Sequence, residues 1–358
     1  MSAAPLLSTH QDAGAIFAED PECQEVLNYG DTDSEYRTVV ESAGITDRSL
    51  RGKLRVTGSD RERFLHGMLT NTVEGLVSGQ GNYTAMTTPQ GHTLTDLVVI
   101  HRGEEIFLET EPGYQDKLRV SLDKFLIADD VTLEDVSGNF AIIGLQGPAA
   151  NQVISAAAGQ TLETMSQFDS VDLHIGSLPT VVVCHSYTGE NGYEIWTLAE
   201  DAADVWRDLA NSGAEPVGCV ATDVLRVEAG IPRYGLDFDE RVMPLEAGIA
   251  SAVDFEKGCF IGQEALAKMH NLGKPRRYLC GLVIAGSEPA PRETEIFVDG
   301  KEVGWTTSSL LSIYSDECVA FASLRRGFHE VGQLVALGDG KSGRVVKLPF
   351  RPTAIGSE

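Results

Sequence analysis

The spacing of apolar and polar residues changes at about residue 275. Before it, alternating segments such as Tyr193–Thr197 are interleaved with segments such as 201–211, whose apolar residues recur three or four positions apart. Alternation is typical of strands and the longer spacing of amphipathic helices. After residue 275, six short strand-like segments follow one another, and Asp299-Gly300 between two of them is a two-residue hairpin sequence. The pattern predicts an α+β region followed by a small antiparallel β-barrel.

The same patterns locate the individual elements. Strands are predicted at 52–58, on both sides of a Pro89–Gly91 turn within 83–100, before 135, at 140–146, 181–186, 193–197, 278–285, 295–298, 301–307, 318–324, 333–337 and 344–348. Helices are predicted at 15–19, 25–29, 59–71 with a Ser59–Glu62 capping box, 112–128, after Pro148, 201–211, 222–230 with Thr222 as cap, and 265–272. We divide the chain into an acidic N-terminal segment (1–45), two halves of one domain (46–139 and 140–274) and the barrel (275–358).

Length and hydropathy limit the classes of protein to which this chain can belong. A chain of 358 residues with 42% hydrophobic residues can bury a large core in two or three domains. No apolar run approaches the ~18 residues of a membrane span. The first ten residues lack the basic start and apolar centre of a signal peptide, so we expect a cytoplasmic protein.

The charge of the chain is strongly negative. The formal net charge is −25, and only nine of the 28 basic residues are lysines. The acidic residues are spread over the chain, which favours adaptation to a salt-rich cytoplasm over an acidic patch for a basic partner. The basic footprint of a nucleic-acid-binding protein is missing from the sequence.

This charge predicts a protein that needs salt. At molar salt the Debye length is ~3 Å, whereas at 0.1 M it is ~10 Å, so like charges repel one another more strongly in dilute buffer. We expect the melting temperature to fall between molar and ~0.1 M KCl. An unchanged melting temperature across that range would contradict the halophilic interpretation.

The six cysteines give no metal-binding pattern. They lie at positions 23, 184, 219, 259, 280 and 318, with long gaps and no CxxC pair. This spacing argues against a zinc site and against a complete four-cysteine cluster motif. Disulfides are not expected in a cytoplasmic protein.

Cys259 lies in the most distinctive segment of the chain, Lys257–Glu264, which reads Lys-Gly-Cys-Phe-Ile-Gly-Gln-Glu. Its two glycines predict a tight loop that leads into the helix predicted at 265–272. A helix N-terminus and a nearby Lys257 both favour a thiolate. The alternative is a buried, unreactive cysteine on a glycine-rich turn, and the residues alone do not decide between the two.

Three further side chains stand out from the patterns around them. Asp96 begins an apolar strand, where a carboxylate must be either a structural hydrogen-bond hub or part of a site. Glu194 shares a strand face with Trp196, which suits a planar heterocycle, although a solvent-facing glutamate is the commoner explanation. His66 lies beside the apolar stripe of its helix, and packing or capping is favoured there over catalysis.

Segment 257–264 resembles the signature of the YgfZ family, which comprises folate-binding relatives of the glycine cleavage aminomethyltransferases. Residues 56–71, 145–148, 187–194 and 223–235 resemble further motifs of the aminomethyltransferase-like proteins, in the same order, so the resemblance extends over roughly residues 45–350. It implies a folate cavity in two similar α+β halves, closed by a C-terminal antiparallel barrel.

The resemblance also implies roles for individual residues. The Tyr-Thr-Gly-Glu-x-Gly-Tyr-Glu motif places the pterin-binding glutamate at Glu194 and includes Tyr187, and the element around Arg226 and Tyr234 implies further contacts with tetrahydrofolate. Aminomethyltransferases carry Gly-Gly-x-x-Asp-Asp where this chain has Gly91–Asp96. Of the two aspartates in that motif this chain keeps one, Asp96, and the resemblance implies that it assists one-carbon transfer.

Three functions are compatible with these motifs. The first is a tetrahydrofolate-binding protein that supports iron–sulfur enzymes or their assembly through the Cys259 thiol, as the cysteine signature and the altered double-aspartate motif suggest. The second is a folate-dependent aminomethyltransferase or methyltransferase, which Asp96 and the intact residues 187–194 support. The third is a scaffold that binds folate without turnover.

Overall fold

The structure is a computed structural model that describes residues 5–19 and 25–354. Its helices are α1 (Leu7–Asp12), α2 (Thr32–Glu41), α3 (Arg61–Met68), α4 (Gln115–Asp123), α5 (Ala150–Ala158), α6 (Ala202–Asn211), α7 (Cys219–Glu228) and α8 (Gln263–Leu272). Its strands are β1 (Ile16–Phe17), β2 (Val26–Asn28), β3 (Gly44–Asp47), β4 (Gly52–Thr57), β5 (Gly81–Thr87), β6 (Thr93–His101), β7 (Ile106–Thr110), β8 (Thr132–Asp135), β9 (Phe140–Gln146), β10 (Ser170–Ile175), β11 (Leu178–Cys184), β12 (Gly192–Leu198), β13 (Glu215–Pro216), β14 (Arg277–Ile284), β15 (Glu295–Val298), β16 (Lys301–Leu311), β17 (Cys318–Arg325), β18 (Leu334–Leu337) and β19 (Ser342–Val346).

Two large sheets form the centre of the α+β region, beside the two-stranded β1-β2 pair. One has the strand order β5-β6-β7-β4-β8 and the other β10-β11-β12-β9-β3-β13. Val98, Ile100 and Phe107 of the first sheet share one buried cluster with Ile142 and Trp196 of the second, so the sheets pack against each other. Separate cores lie between the first sheet and helices α3 and α4, and between the second sheet and helices α5 and α6. The four-segment division of the chain stays a prediction, and strand β3 pairs within the second sheet.

The C-terminal region is a closed barrel, as predicted. Its strand order is β14-β17-β16-β15-β18-β19, and every pairing is antiparallel. Asp299 and Gly300 connect β15 to β16, with φ of 50° and 74°. Two positive φ values are what a tight two-residue hairpin requires, and a sequence of this kind supplies them. The α+β class and the barrel are therefore confirmed.

The two short helices predicted near the N-terminus are wrong. Residues 16–17 and 26–28 instead pair as antiparallel strands. Short apolar runs do not distinguish a helix turn from a strand, and here the pairing partner decides. Cys23 lies outside the described residues. Helices α1 and α2, with polar and acidic sequences, were not predicted.

Two helix caps differ from prediction. Helix α3 begins at Arg61, and the Ser59 hydroxyl donates to Asp130 instead of capping the helix. Helix α7 begins at Cys219, so Thr222 lies inside it and donates to the Cys219 carbonyl. Helix α4 is also shorter than predicted, since it starts three residues after Pro112. Helix boundaries depend on tertiary partners that the local pattern does not contain.

Within residues 5–19 and 25–354, none of the helices has the length and apolar character needed to cross a bilayer.

Candidate functional site

A cavity of about 340 Å³ lies where the two sheets meet helix α7 and the loop after it. This is the size of a small-molecule site. Tyr83, Phe168 and Tyr187 give it an aromatic wall, and nine of the other lining residues are charged. The charged residues of the lining are Glu25, Asp47, Arg48, Arg51, Asp96, Glu111, Asp223, Arg226 and Arg233.

Asp96 lines the cavity from strand β6 and has one unpaired oxygen. The Tyr83 hydroxyl donates to Oδ2 at 2.6 Å, whereas Oδ1 is buried and has no hydrogen-bond partner among the described residues. Burial, and then the charge of Glu111, raise the pKa of Asp96 to about 6 against the opposing hydrogen bond from Tyr83. A carboxyl group with this pKa can hold or release a proton near neutral pH.

Glu194 lies directly behind the lining, fully buried on strand β12. Arg48 Nε donates to its Oε1 at 2.6 Å, and His185 Nδ1 lies 3.2 Å from its Oε2. Burial alone would raise the pKa of Glu194, but the neighbouring His185 and Arg48 outweigh burial and hold it well below its usual range. As predicted, Glu194 and Trp196 share one face of the strand, and Ile195 contributes to the core on the other.

Arg51 lines the cavity and holds a second group of carboxylates. It pairs with Glu109 and Glu111, and Arg233 also pairs with Glu111 at 2.8 Å. Arg51 and Arg233 overcome the effect of burial and lower the pKa of Glu111 to about 2. Burial, and then the charge of Glu194, raise the pKa of Glu109.

One group of side chains in this region has the spacing of a metal site. Ligand atoms of Glu109, His185 and Glu194 lie within 4.8 Å of one another. Arg48 and Arg51 already neutralise the two carboxylates, so a divalent cation would add an uncompensated buried charge. The cluster is therefore a poor site for a metal ion.

Arg226 and Tyr234 occupy different positions. Arg226 lines the cavity, and it is also held by Asp237 and by Asp223 at 2.8 Å, so the alternative of a buried ion pair is observed and its contact with folate stays a prediction. Tyr234 is not among the described residues that line the cavity. Its hydroxyl accepts a hydrogen bond from Lys117 Nζ at 2.9 Å, and its ring packs against Tyr114 and Phe238.

Cys259 is exposed in the loop before helix α8 and is likewise not among the residues that line the cavity. Gly262, at φ 88°, lets this loop pack on the 87–91 turn, because a Cβ there would overlap Thr87. Lys257 points into the protein: its Nζ donates to the carbonyls of residues 66, 69 and 71 at 2.6, 2.7 and 2.8 Å. His66 Nδ1 accepts from the backbone N–H groups of residues 73 and 74, so it holds the loop after helix α3 and does not cap a helix.

Several charged residues of the cavity were not predictable from the sequence. Arg48, Arg51, Glu111, His185 and Arg233 come from four separate stretches of chain that only the fold brings together. A weak signal existed for Arg48 and Arg51, which are two arginines three positions apart directly after the short strand β3.

Comparison with known proteins gives one consistent family. The GCVT N-terminal domain family matches residues 6–257, and the glycine cleavage T-protein C-terminal barrel domain family matches residues 277–351. Aminomethyltransferases of Halalkalibacterium halodurans and Thermosipho melanesiensis are each 31% identical over 354 residues. Those alignments cover 97% and 98% of this chain, and 96% and 97% of the respective relatives.

A solved structure agrees with the sequence relatives. The glycine cleavage system aminomethyltransferase T from Bartonella henselae superposes with a TM-score of 0.88 at 26% identity, covering 98% of both chains. These relatives carry the name of the wider aminomethyltransferase group rather than that of the YgfZ branch.

Proposed function

Because the chain belongs to the glycine cleavage T-protein family, we propose that it is a folate-dependent aminomethyltransferase that transfers a one-carbon unit to tetrahydrofolate in the 340 Å³ cavity. The observation that carries this proposal is the buried Asp96 carboxyl, which belongs to the cavity lining and has one oxygen without a hydrogen-bond partner among the described residues. The family uses tetrahydrofolate, and an aromatic wall beside a buried carboxylate suits a pterin.

Aminomethyl transfer requires several protons to move. A carrier-bound –CH₂–NH₂ group gives its carbon to two folate nitrogens, each of which loses a proton. One proton goes to the departing carrier and one to the amine, which leaves as ammonia. A positive charge develops on the carbon while it passes between the two partners.

Asp96 meets both requirements of this reaction, the movement of protons and the stabilisation of a positive charge on the carbon. Ionised, this buried carboxylate stabilises positive charge on the carbon. With a pKa of about 6, it also exchanges a proton readily at neutral pH. Tyr83 fixes the orientation of the carboxyl group through its 2.6 Å hydrogen bond.

The pterin subsite would lie at Tyr187 and Glu194. The ring of Tyr187 offers a flat apolar face, and Glu194 is an ionised acceptor for the N–H groups of an aminopyrimidine edge. Arg226 and Arg233 lie elsewhere on the same lining and would face the anionic end of folate.

Titration of the purified protein with tetrahydrofolate tests binding. The −25 charge supports a further proposal that the protein works at high salt, so the titration belongs in molar KCl. Saturable binding at one site per chain is expected. Absence of binding at both molar and ~0.1 M KCl would contradict the proposal.

A second candidate function, support of iron–sulfur enzymes, rests on Cys259. Of the five cysteines within the described residues, it is the exposed one. No second cysteine lies near it in sequence, so a single accessible thiol suits transient redox or cluster contact better than a permanent cluster.

Replacement of Cys259 by serine separates the two candidates. An aminomethyltransferase needs no thiol outside the cavity, so Cys259→Ser should fold, melt near wild type, bind folate and retain turnover. An iron–sulfur role would instead show as failure to restore iron–sulfur enzyme activity in cells that lack the protein. Cys184→Ser, at a half-buried cysteine, is the control.

A further inference from the structure

The side chain of Arg48 lies against the two residues of the pterin subsite. Its guanidinium carbon is 3.7 Å from the centre of the Tyr187 ring, and its Nε donates to Glu194 at 2.6 Å. Strand β9 leaves room for this arrangement at Gly144, where a Cβ would overlap the Tyr187 hydroxyl and press on Arg48 Cδ. The absence of a side chain at Gly144 therefore gives Arg48 and Tyr187 the space in which they stack.

A guanidinium and an aminopyrimidine edge present the same chemistry. Each is planar, offers neighbouring N–H donors to a carboxylate and stacks on an aromatic ring. Arg48 thus makes the contacts with Glu194 and Tyr187 that a pterin ring would make. Both cannot occupy the same face of Tyr187 and the same oxygen of Glu194.

We propose that Arg48 is an internal occupant of the pterin subsite and that folate binds only after Arg48 has left Glu194 and Tyr187. This inference rests on the proposed function, because it takes the incoming ligand to be a folate. Arg48 then sets the affinity and the selectivity of the subsite. A ligand replaces it only if its own planar N–H donors bind Glu194 and Tyr187 at least as well as the guanidinium does.

Arg48 is the cavity arginine best suited to move. Arg51, Arg226 and Arg233 each pair with two carboxylates in the described part of the chain, whereas Arg48 pairs with Glu194 alone. Its side chain is 16% exposed, whereas that of Glu194 is completely buried. Glu111 also faces the cavity and offers a carboxylate to the released guanidinium.

An internal occupant lowers the apparent affinity for the ligand. The apparent dissociation constant equals the intrinsic constant divided by the fraction of molecules whose subsite is open. If Arg48 occupies the subsite in about nine of ten molecules, its removal should lower the apparent dissociation constant for folate about tenfold.

The test is titration of the full-length protein with tetrahydrofolate in three forms: wild type, Arg48→Ala and Arg48→Lys. We expect Kd to fall about tenfold in Arg48→Ala, with Arg48→Lys in between because lysine keeps the charge without the planar fork. Methylguanidinium should compete with folate in Arg48→Ala and leave the wild-type Kd unchanged. A higher Kd in Arg48→Ala would make Arg48 a ligand contact and overturn the proposal.

A second measurement needs no variant with altered folding. In protein labelled with ¹⁵N-arginine, the Arg48 Nε–H resonance, identified by its loss in Arg48→Lys, should shift on saturation with tetrahydrofolate as the bond to Glu194 breaks. An unchanged resonance at saturation overturns the proposal even if Arg48→Ala does not fold. Failure of every form to bind folate would instead refute the proposed function from which the inference starts.

Discussion

Replacing Asp96 by asparagine is expected to lower the rate of one-carbon transfer 10²- to 10⁴-fold, the range typical of losing a positioned acid or base. Asparagine keeps the size and the hydrogen bond from Tyr83 but can neither ionise nor carry the proton. The affinity for tetrahydrofolate should change less than tenfold, because the pterin contacts lie at Tyr187 and Glu194. Comparison of kcat with Kd for the two proteins separates the loss of chemistry from a loss of binding.

The pH dependence gives an independent check on Asp96. If the ionised carboxylate is required, activity should fall as the pH drops through about 6. Tyr83→Phe is the matched control: it keeps the carboxyl group but removes the hydrogen bond that lowers its pKa, so the acid limb should move to higher pH. An acid limb that stays in place in Tyr83→Phe would mean that another group titrates.

Asp96→Asn should also stabilise the fold at alkaline pH. The pKa of Asp96 is raised on folding, so its contribution to stability is fully present below its unfolded value of 3.8 and is lost as the pH rises through about 6. At pH 8 the buried charge costs on the order of 2–3 kcal/mol, which the neutral amide avoids. The free energy of unfolding of the variant should therefore exceed that of wild type at pH 8, and the difference should shrink below pH 6.

Glu194→Gln is expected to weaken tetrahydrofolate binding about 10- to 100-fold, since a charge-assisted hydrogen bond contributes ~1.5–3 kcal/mol. The substitution keeps the shape of the side chain but removes the charge that Arg48 and His185 hold in place. Isothermal titration of both proteins measures the change. Wild-type affinity in the variant would show that Glu194 does not anchor the pterin.

Glu190→Gln is the matched control for Glu194→Gln. Glu190 lies in the turn just before strand β12 and is also buried, but it pairs with Arg351 and is not among the described residues that line the cavity. Its substitution should lower the melting temperature by weakening a buried ion pair while leaving the folate affinity near wild type. Equal losses of affinity in both variants would point to a general disturbance of the 187–194 turn.

The parts of the fold that follow from local physics were predictable. Six short alternating segments and the Asp299-Gly300 turn were enough to predict the barrel, because strand period and positive φ are properties of a few neighbouring residues. The alternation that placed Glu194 and Trp196 on one face was equally local. The strands at 16–17 and 26–28 were not predicted, because each forms a strand only by pairing with the other.

The cavity residues that could be predicted were those that lie in recognisable sequence motifs. Asp96, Tyr187 and Arg226 lie in its lining, and Glu194 is one layer behind, whereas Tyr234 is held by Lys117 and Cys259 lies on a separate exposed loop. Arg48 and Arg51 lie more than 50 residues from their partners Glu194 and Glu109. No local pattern connects such pairs, since an ion pair of this kind is a consequence of the fold.

The measurement that tests the central claim most directly is turnover with an aminomethyl-loaded carrier from a glycine cleavage system and tetrahydrofolate, at molar KCl. Wild-type protein is expected to release ammonia and form a one-carbon folate in equal amounts, only when both substrates are present. Asp96→Asn is expected to form both products about 10²- to 10⁴-fold more slowly. Wild-type protein that is saturated with folate and yet releases no more ammonia than Asp96→Asn would contradict the assignment as an aminomethyltransferase.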